Sequence, residues 1–161
     1  MENHIESLYK ANIRRAQKNL MEIPVFCGDP PQFSGLNGWV FEKTIQHLIL
    51  KHLRQRRINA TIREQVPPSG RVRADLTINN IALEIKAGGL FSSDAPHRYK
   101  EYQSLAKKKG LRYIYLTLGE TYQPYRKAII KALGGNNAFF LDTAGEWKRF
   151  TTRLVAALKK Q

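Results

Sequence analysis

The chain of 161 residues contains one cysteine, Cys27, and only 13 acidic residues. A single cysteine excludes an intrachain disulfide and argues against a structural zinc site, which normally uses two or more sulfur ligands. No apolar run approaches the roughly 18 residues that a membrane span requires. The N-terminal residues, with Glu2 and Glu6 among polar neighbours, contain no signal-peptide core. We therefore expect a cytoplasmic or nucleoid-associated protein with no membrane partner.

The scarcity of acidic residues stands against 27 lysines and arginines, which gives a formal charge of +14. Hydrophobic residues make up 42% of the chain, so this charge belongs to a folded protein and not to a disordered basic tail. The length suits one hydrophobic core of ordinary size, and we expect a single domain over 1–161. An excess of positive charge on a folded surface favours a polyanionic partner, and nucleic acid is the leading candidate.

Periodic patterns predict a mixed succession of helices and strands. Helical spacing of apolar residues predicts helices over 4–21, from about 38 to 57, and over 97–109, 124–133 and 146–159. Strand patterns cover 61–66, 72–78, 81–86, 111–118 and 138–141. Strands that first pair as hairpins and are then joined through helices predict an α/β fold, with a central mixed sheet of about five strands flanked by helices.

The most informative feature is a predicted hairpin that contains Asp75, Glu84 and Lys86. Its turn is Asn79-Asn80, because asparagine tolerates the positive φ of a two-residue turn. Pairing Ile78 with Ile81 then places Asp75 opposite Glu84 and puts Lys86 on the same face. Two carboxylates that face each other across strands repel.

A divalent cation would remove that repulsion, and Mg²⁺ prefers one or two carboxylates together with water and phosphate oxygens. The alternative is an ordinary solvent-facing edge of the hairpin, on which Lys86 merely pairs with Glu84.

A third carboxylate lies on the second predicted helix. With Phe41 at 0°, the apolar arc of this helix reaches about 120°, and Glu42 falls inside it at about 100°. A carboxylate on the buried side needs a cation, a hydrogen-bond donor or a wet cleft. Glu42 either shares the metal site or lies at the margin of the arc and reaches solvent or a lysine.

Glu42 on a helix, Asp75 in one strand and Glu84-Ile85-Lys86 in the next resemble the PD-(D/E)xK nuclease superfamily, which has the restriction-endonuclease-like fold. The order of elements matches, although Ala74 replaces the proline of the motif. The resemblance implies a catalytic core over 38–142. A basic helix and an irregular segment precede this core over 1–37, and a helix follows it over 143–161.

The resemblance also implies roles for individual residues. Asp75, Glu84 and the Ile85 carbonyl would bind Mg²⁺, for which Mn²⁺ would substitute. Glu42 would be an outer ligand, acting directly or through water, and Lys86 would orient the attacking water. Some members carry glutamine or tyrosine on the next helix, where Tyr99, Tyr102 and Gln103 lie. Of these, Gln103 is the candidate auxiliary residue.

Basic clusters are expected to contact nucleic-acid phosphates. They comprise Arg14, Arg15, Lys18, Arg71, Arg73, Lys107, Lys108 and Lys109.

The leading functional hypothesis is a Mg²⁺-dependent endonuclease that hydrolyses DNA phosphodiester bonds. Its small size and basic charge suit a Holliday-junction-resolvase-like enzyme that acts on branched DNA as a homodimer. A restriction or homing endonuclease on duplex sites is the first alternative. A non-catalytic nucleic-acid-binding module, whose acidic residues are structural, is the second. An RNA-processing nuclease would share the same site, and the residues alone do not separate RNA from DNA.

Overall fold

A computed structural model describes residues 2–22, 36–64, 74–88, 95–119 and 123–159. These ranges contain helices before, between and after the strands of one sheet. The helices are α1 (Glu2–Glu22), α2 (Leu36–Gln55), α3 (Ala95–Lys108), α4 (Gln123–Leu133) and α5 (Glu146–Leu158). The strands are β1 (Ile62–Glu64), β2 (Leu76–Ile78), β3 (Ile81–Lys86), β4 (Arg112–Thr117) and β5 (Ala138–Phe140).

The five strands form one mixed sheet in the order β1-β2-β3-β4-β5. The β1, β2 and β3 strands pair antiparallel, whereas β3, β4 and β5 pair parallel. Parallel neighbours need crossover connections, and here α3 and α4 provide them. The structure therefore confirms the α/β prediction of a five-stranded mixed sheet flanked by helices. The restriction-endonuclease-like core remains a prediction.

Helices cover both faces of the sheet, and each face has its own core. On one face, strand residues such as Leu83 and Ile114 pack with Phe41 and Ile45 of α2 and with Phe150 of α5. On the other face the core is richer in tyrosine. Its buried members are Ala74, Ala82, Tyr99, Ala106, Tyr113, Tyr115, Tyr125, Ile129, Leu133, Ala138 and Phe140. Burial on both faces explains why β3 is buried at five of its six positions, in contrast to the alternation of a half-exposed strand.

The β2–β3 turn has the chemistry that the sequence predicts. Asn79 adopts φ 51°, a left-handed conformation that asparagine tolerates better than most residues. Its Oδ1 atom accepts the backbone N–H of Thr61 at 2.7 Å, and its own N–H donates to the Thr61 carbonyl at 2.8 Å. This turn therefore joins the hairpin to the residue that precedes β1.

Element boundaries agree closely with the predicted ones, and β3 coincides exactly at 81–86. The largest difference is at β2, which begins at Leu76, whereas the predicted strand begins at residue 72. Part of that predicted stretch, 72–73, lies outside the described residues. None of the helices in the described ranges combines the length and apolar character that a membrane crossing requires.

We expect Asn79→Ala to lower the free energy of unfolding by about 1–2 kcal/mol, because alanine is strained at positive φ. The variant also loses the side-chain acceptor of the Thr61 N–H. Asn79→Gly relieves the strain but not the lost acceptor, so its effect should be smaller. Urea denaturation measures both, with Asn136→Ala, an exposed asparagine between α4 and β5, as the control. An Asn79→Ala variant as stable as Asn136→Ala would contradict this account of the turn.

Candidate metal centre

Asp75, Glu84 and Lys86 meet where the β2–β3 hairpin opens away from its turn. Glu84 and Lys86 belong to β3, beside Tyr115 and Thr117 of β4, and Asp75 immediately precedes β2. The predicted register is confirmed for Leu76 with Leu83, Thr77 with Ala82, and Ile78 with Ile81.

The ladder ends one pair before the expected partnership of Asp75 with Glu84. The Asp75 N–H donates to the carbonyl of Leu83 at 3.0 Å, although Leu83 is already the partner of Leu76. Two consecutive residues of one strand thus face a single residue of the other, as at a β-bulge. The Asp75 Oδ2 atom in turn accepts the backbone N–H of Ile85 at 2.7 Å. The carboxylate thus occupies the place of a main-chain acceptor and is fixed against β3.

Lys86 pairs with both carboxylates. Its Nζ atom lies 2.5 Å from Glu84 Oε1 and 3.6 Å from Asp75 Oδ2. Burial by itself would lower the pKa of Lys86, but the charges of Glu84 and Asp75 outweigh burial and raise the pKa above its ordinary value. Lys86 is therefore protonated at neutral pH.

Glu84 is the most deeply buried of these charged groups, at 6% exposure. Burial raises the pKa of Glu84 to about 7, against the opposing effect of Lys86, and the charges of Asp75 and Glu42 add to the increase. Its Oε2 atom is buried and has no hydrogen-bond partner in the described part of the protein. A buried carboxylate oxygen without a partner is costly, and a cation or donor that reached it would stabilise the folded state.

Glu42 approaches the cluster from α2. Its effect on the pKa of Glu84 places the two carboxylates within electrostatic range. The Oε1 atom of Glu42 accepts a hydrogen bond from Gln46 Nε2 at 3.0 Å, which orients the side chain along the helix. Glu42 is half-buried, as expected for a carboxylate that lies between the cluster and the solvent margin.

The donor set fits a hard divalent cation. When Glu42, Asp75 and Glu84 are ionised, Lys86 offsets only one charge, which leaves two negative charges in excess. No three side chains of His, Cys, Asp or Glu within the described ranges converge closely enough to form a complete cage. Mg²⁺ does not need such a cage, because it usually keeps several waters and uses one or two carboxylates plus phosphate oxygens.

The main-chain carbonyl of Ile85 has a direction that suits the same site. The Lys86 carbonyl accepts the Leu118 N–H on the β4 side, while the Leu83 carbonyl accepts the Asp75 N–H on the β2 side. Carbonyl directions alternate along a strand, so the Ile85 carbonyl points to the β2 side, toward Asp75.

On α3, the residue near Lys86 is Tyr99 and not Gln103. The charge of Lys86 acts on the Tyr99 hydroxyl, and the Tyr99 ring packs on Tyr115 with centroids 4.7 Å apart. The Gln103 side chain instead donates to the Leu133 carbonyl at 2.9 Å and ties α3 to the end of α4. The Gln103 side chain is therefore not brought to the cluster. Of the tyrosine and glutamine residues to which the resemblance pointed on this helix, Tyr99 is the one near Lys86.

The predicted nucleic-acid contacts are dispersed. Arg14, Arg15 and Lys18 are exposed on α1. The exposed Lys107, Lys108 and Lys109 precede β4, whose Arg112 pairs with Ile81 at the start of β3. Ile81 lies about 16 Å along β3 from Lys86, because a strand rises about 3.3 Å per residue. Arg71 and Arg73 lie outside the described residues.

One surface residue escaped the sequence reasoning. Trp39 is 53% exposed on α2. On the helical wheel it lies about 160° from Phe41, outside the apolar arc. An aromatic residue on the polar face of the helix was the signal in the sequence that could have identified it.

Comparison of the chain with protein-family models, with curated proteins and with solved structures found no match. The resemblance to the nuclease superfamily therefore rests on the residues of this chain and on the geometry that joins them.

The raised pKa of Glu84 makes stability depend on pH. The fold favours the protonated carboxyl, so this contribution is fully present below about pH 4.5 and is lost as the pH rises through about 7. Glu84→Gln removes the titration. In EDTA, its free energy of unfolding should therefore increase relative to wild type by about 3 kcal/mol between pH 4.5 and pH 8.

Urea denaturation across this range provides the measurement, and the exposed Glu101→Gln on α3 is the matched control. Wild type and Glu101→Gln should give parallel curves. Parallel curves for wild type and Glu84→Gln would show that Glu84 is not desolvated as described.

Proposed function

We propose that this protein is a Mg²⁺-dependent endonuclease that hydrolyses DNA phosphodiester bonds. The observation that carries the proposal is the cluster of Asp75, Glu84 and Lys86, in which the buried Glu84 Oε2 atom has no partner in the described part of the chain. A buried carboxylate oxygen without a partner is costly, and a bound cation would give Glu84 Oε2 a partner.

Asp75, Glu84 and the Ile85 carbonyl would hold the ion, and Glu42 would reach it directly or through water. Mn²⁺ has similar oxygen preferences and should substitute. When bound, Mg²⁺ supplies Lewis acidity toward the phosphate and lowers the pKa of a bound water. The residues themselves set its position, because the bond from the Ile85 N–H fixes Asp75 and the sheet fixes Glu84.

Lys86 would act on the substrate as a cation and a proton donor. Its ammonium group carries three donors, and the two carboxylates keep it protonated. From this position it would donate a hydrogen bond to the scissile phosphate or to the attacking water and would stabilise the negative charge that develops there. Lys86 pairs with Glu84 in the absence of substrate, so a phosphate would compete for the same ammonium group.

Attraction of the substrate would come from the net charge of +14. The acidic cluster is a local exception within this basic protein, and cation binding would remove its repulsion toward phosphate. Each phosphate neutralised on duplex DNA steepens the salt dependence of binding by about 0.9 in the log-log slope. We expect branched DNA as the preferred substrate and a homodimer as the active form, since two opposed sites are needed to cut two strands.

The test is cleavage of labelled linear duplex, single-stranded DNA, four-way junction and RNA, with Mg²⁺, Mn²⁺ or EDTA. Asp75→Asn and Lys86→Gln should each lower the rate by about 10²-fold or more, as expected for removal of a group that stabilises the transition state. Lys127→Gln, an exposed lysine on α4, is the matched control and should cut at the wild-type rate.

Cutting that depends on the metal, and that Asp75→Asn and Lys86→Gln abolish, would establish the site, and the preferred substrate would identify the subtype. Absence of cutting on every substrate, with equal binding by wild type and variants in Mg²⁺ and EDTA, would contradict the proposal. That result would favour the non-catalytic binding module.

A further inference from the structure

A groove of about 630 Å³ lies between α1 and α2, apart from the acidic cluster. Its basic and aromatic lining residues are His4, Arg15, Trp39, Lys43, His47 and Lys51. No aspartate or glutamate belongs to its described lining. The volume is in the range of sites that bind small molecules or parts of larger ligands, which is about 300–1,000 Å³. The lining charge fits an anionic occupant.

Trp39 gives the groove a second chemical character. It is 53% exposed, whereas the other tryptophan, Trp147, packs on Phe150 with ring centroids 5.6 Å apart. Trp39 therefore offers an accessible aromatic ring beside basic side chains. Such rings are the platforms on which unpaired bases stack in proteins that bind single-stranded nucleic acid, where basic residues hold the phosphates.

We propose that the groove between α1 and α2 binds single-stranded DNA, with a base stacked on Trp39 and phosphates held by Arg15, Lys43 and Lys51. This inference rests on the nucleic-acid substrate proposed above and adds its strandedness. Duplex DNA buries the faces of its bases, so a duplex would reach the basic residues of the groove but not the ring.

The groove is already formed in the protein without DNA. Asn12 Nδ2 donates to Thr44 Oγ1 at 3.0 Å, and the Thr44 hydroxyl donates to the Val40 carbonyl at 2.8 Å. Tyr9 also packs edge-on against Phe41, with centroids 5.3 Å apart. These contacts fix α1 on α2, so binding would not require the helices to rearrange.

A short chain of hydrogen bonds connects the groove with the candidate metal centre. Lys43 Nζ donates to Gln46 Oε1 at 3.2 Å, and Gln46 Nε2 donates to Glu42 Oε1 at 3.0 Å. Helix α2 thus presents Trp39 and Lys43 to the groove and Glu42 to the acidic cluster. A single strand of DNA bound in the groove would lie on α2, the helix that also forms one side of the proposed cleavage site. This arrangement suits branched or frayed DNA, which offers duplex and single strand together.

Tryptophan fluorescence tests the proposal, with oligo(dT) titrated into the full chain in EDTA. We expect binding to quench the emission of wild type. Trp39→Phe should lose the quench while it keeps most of the affinity, because phenylalanine also stacks. Trp39→Ala should bind about 10-fold more weakly. A duplex of the same length should bind without the quench, and oligo(U) should bind more weakly than oligo(dT).

The basic residues are tested by the salt dependence of oligo(dT) binding. Each phosphate contact on a single strand contributes about 0.7 to the log-log slope. The double variant Arg15→Gln with Lys43→Gln should therefore lower the slope by about 1.4. The charge-matched control is Lys127→Gln with Lys131→Gln on α4, which should leave the slope unchanged.

Unchanged Trp39 emission at saturation, or equal slopes for the two double variants, would overturn the proposal. Tighter binding of oligo(U) than of oligo(dT) would overturn its assignment to DNA. Because the titration contains no metal, it is independent of cleavage. If oligo(dT) does not bind in the groove, the nuclease proposal still stands. If oligo(dT) binds in the groove but the protein cuts no substrate, only the nuclease proposal fails.

Discussion

The acidic cluster around Lys86 is the constraint on which the functional interpretation depends. Asp75 and Glu84 pair with the same ammonium group, and the charge of Glu42 acts on the buried Glu84 from α2. Taking charges out of water costs several kcal/mol per ion unless their partners are well placed. Here the compensation is incomplete, because Glu84 is almost fully buried and one of its oxygens lacks a partner in the described ranges. The free protein therefore retains an unfavourable electrostatic energy that a divalent cation would relieve.

The rest of the fold holds this cluster in place. Burial of β3 on both faces prevents Glu84 from turning toward solvent, and the parallel partner β4 fixes the positions of Glu84 and Lys86 along the sheet. The local offset at Asp75 moves its carboxylate onto the Ile85 N–H. Helix α2 brings Glu42 from a different layer of the structure. Rigid elements thus define the site, as a catalytic or metal-binding constellation requires.

Much of this architecture could be predicted from the sequence, for identifiable reasons. Strong periodicity located the five helices of the described ranges, and Asn79-Asn80 predicted the register of the hairpin at Leu76 with Leu83. The offset at Asp75 could not be predicted, because it arises from a side chain that replaces a main-chain acceptor. The position of Gln103 could not be predicted either, since periodicity does not specify where a helix lies along a sheet. The exposure of Trp39 could have been predicted from its place on the polar face of α2, but no motif in the sequence assigned it a role.

Titration of the protein with Mn²⁺, followed by the electron paramagnetic resonance signal of the free aqua ion, tests the central claim most directly. The signal is lost when the ion binds. The account predicts that wild type removes the signal at low ion concentration and that Asp75→Asn combined with Glu84→Gln restores it. Glu101→Gln combined with Asp142→Asn, which lie on α3 and after β5, should behave as wild type. Equal Mn²⁺ binding by all three proteins would contradict the claim that the acidic cluster is a cation site.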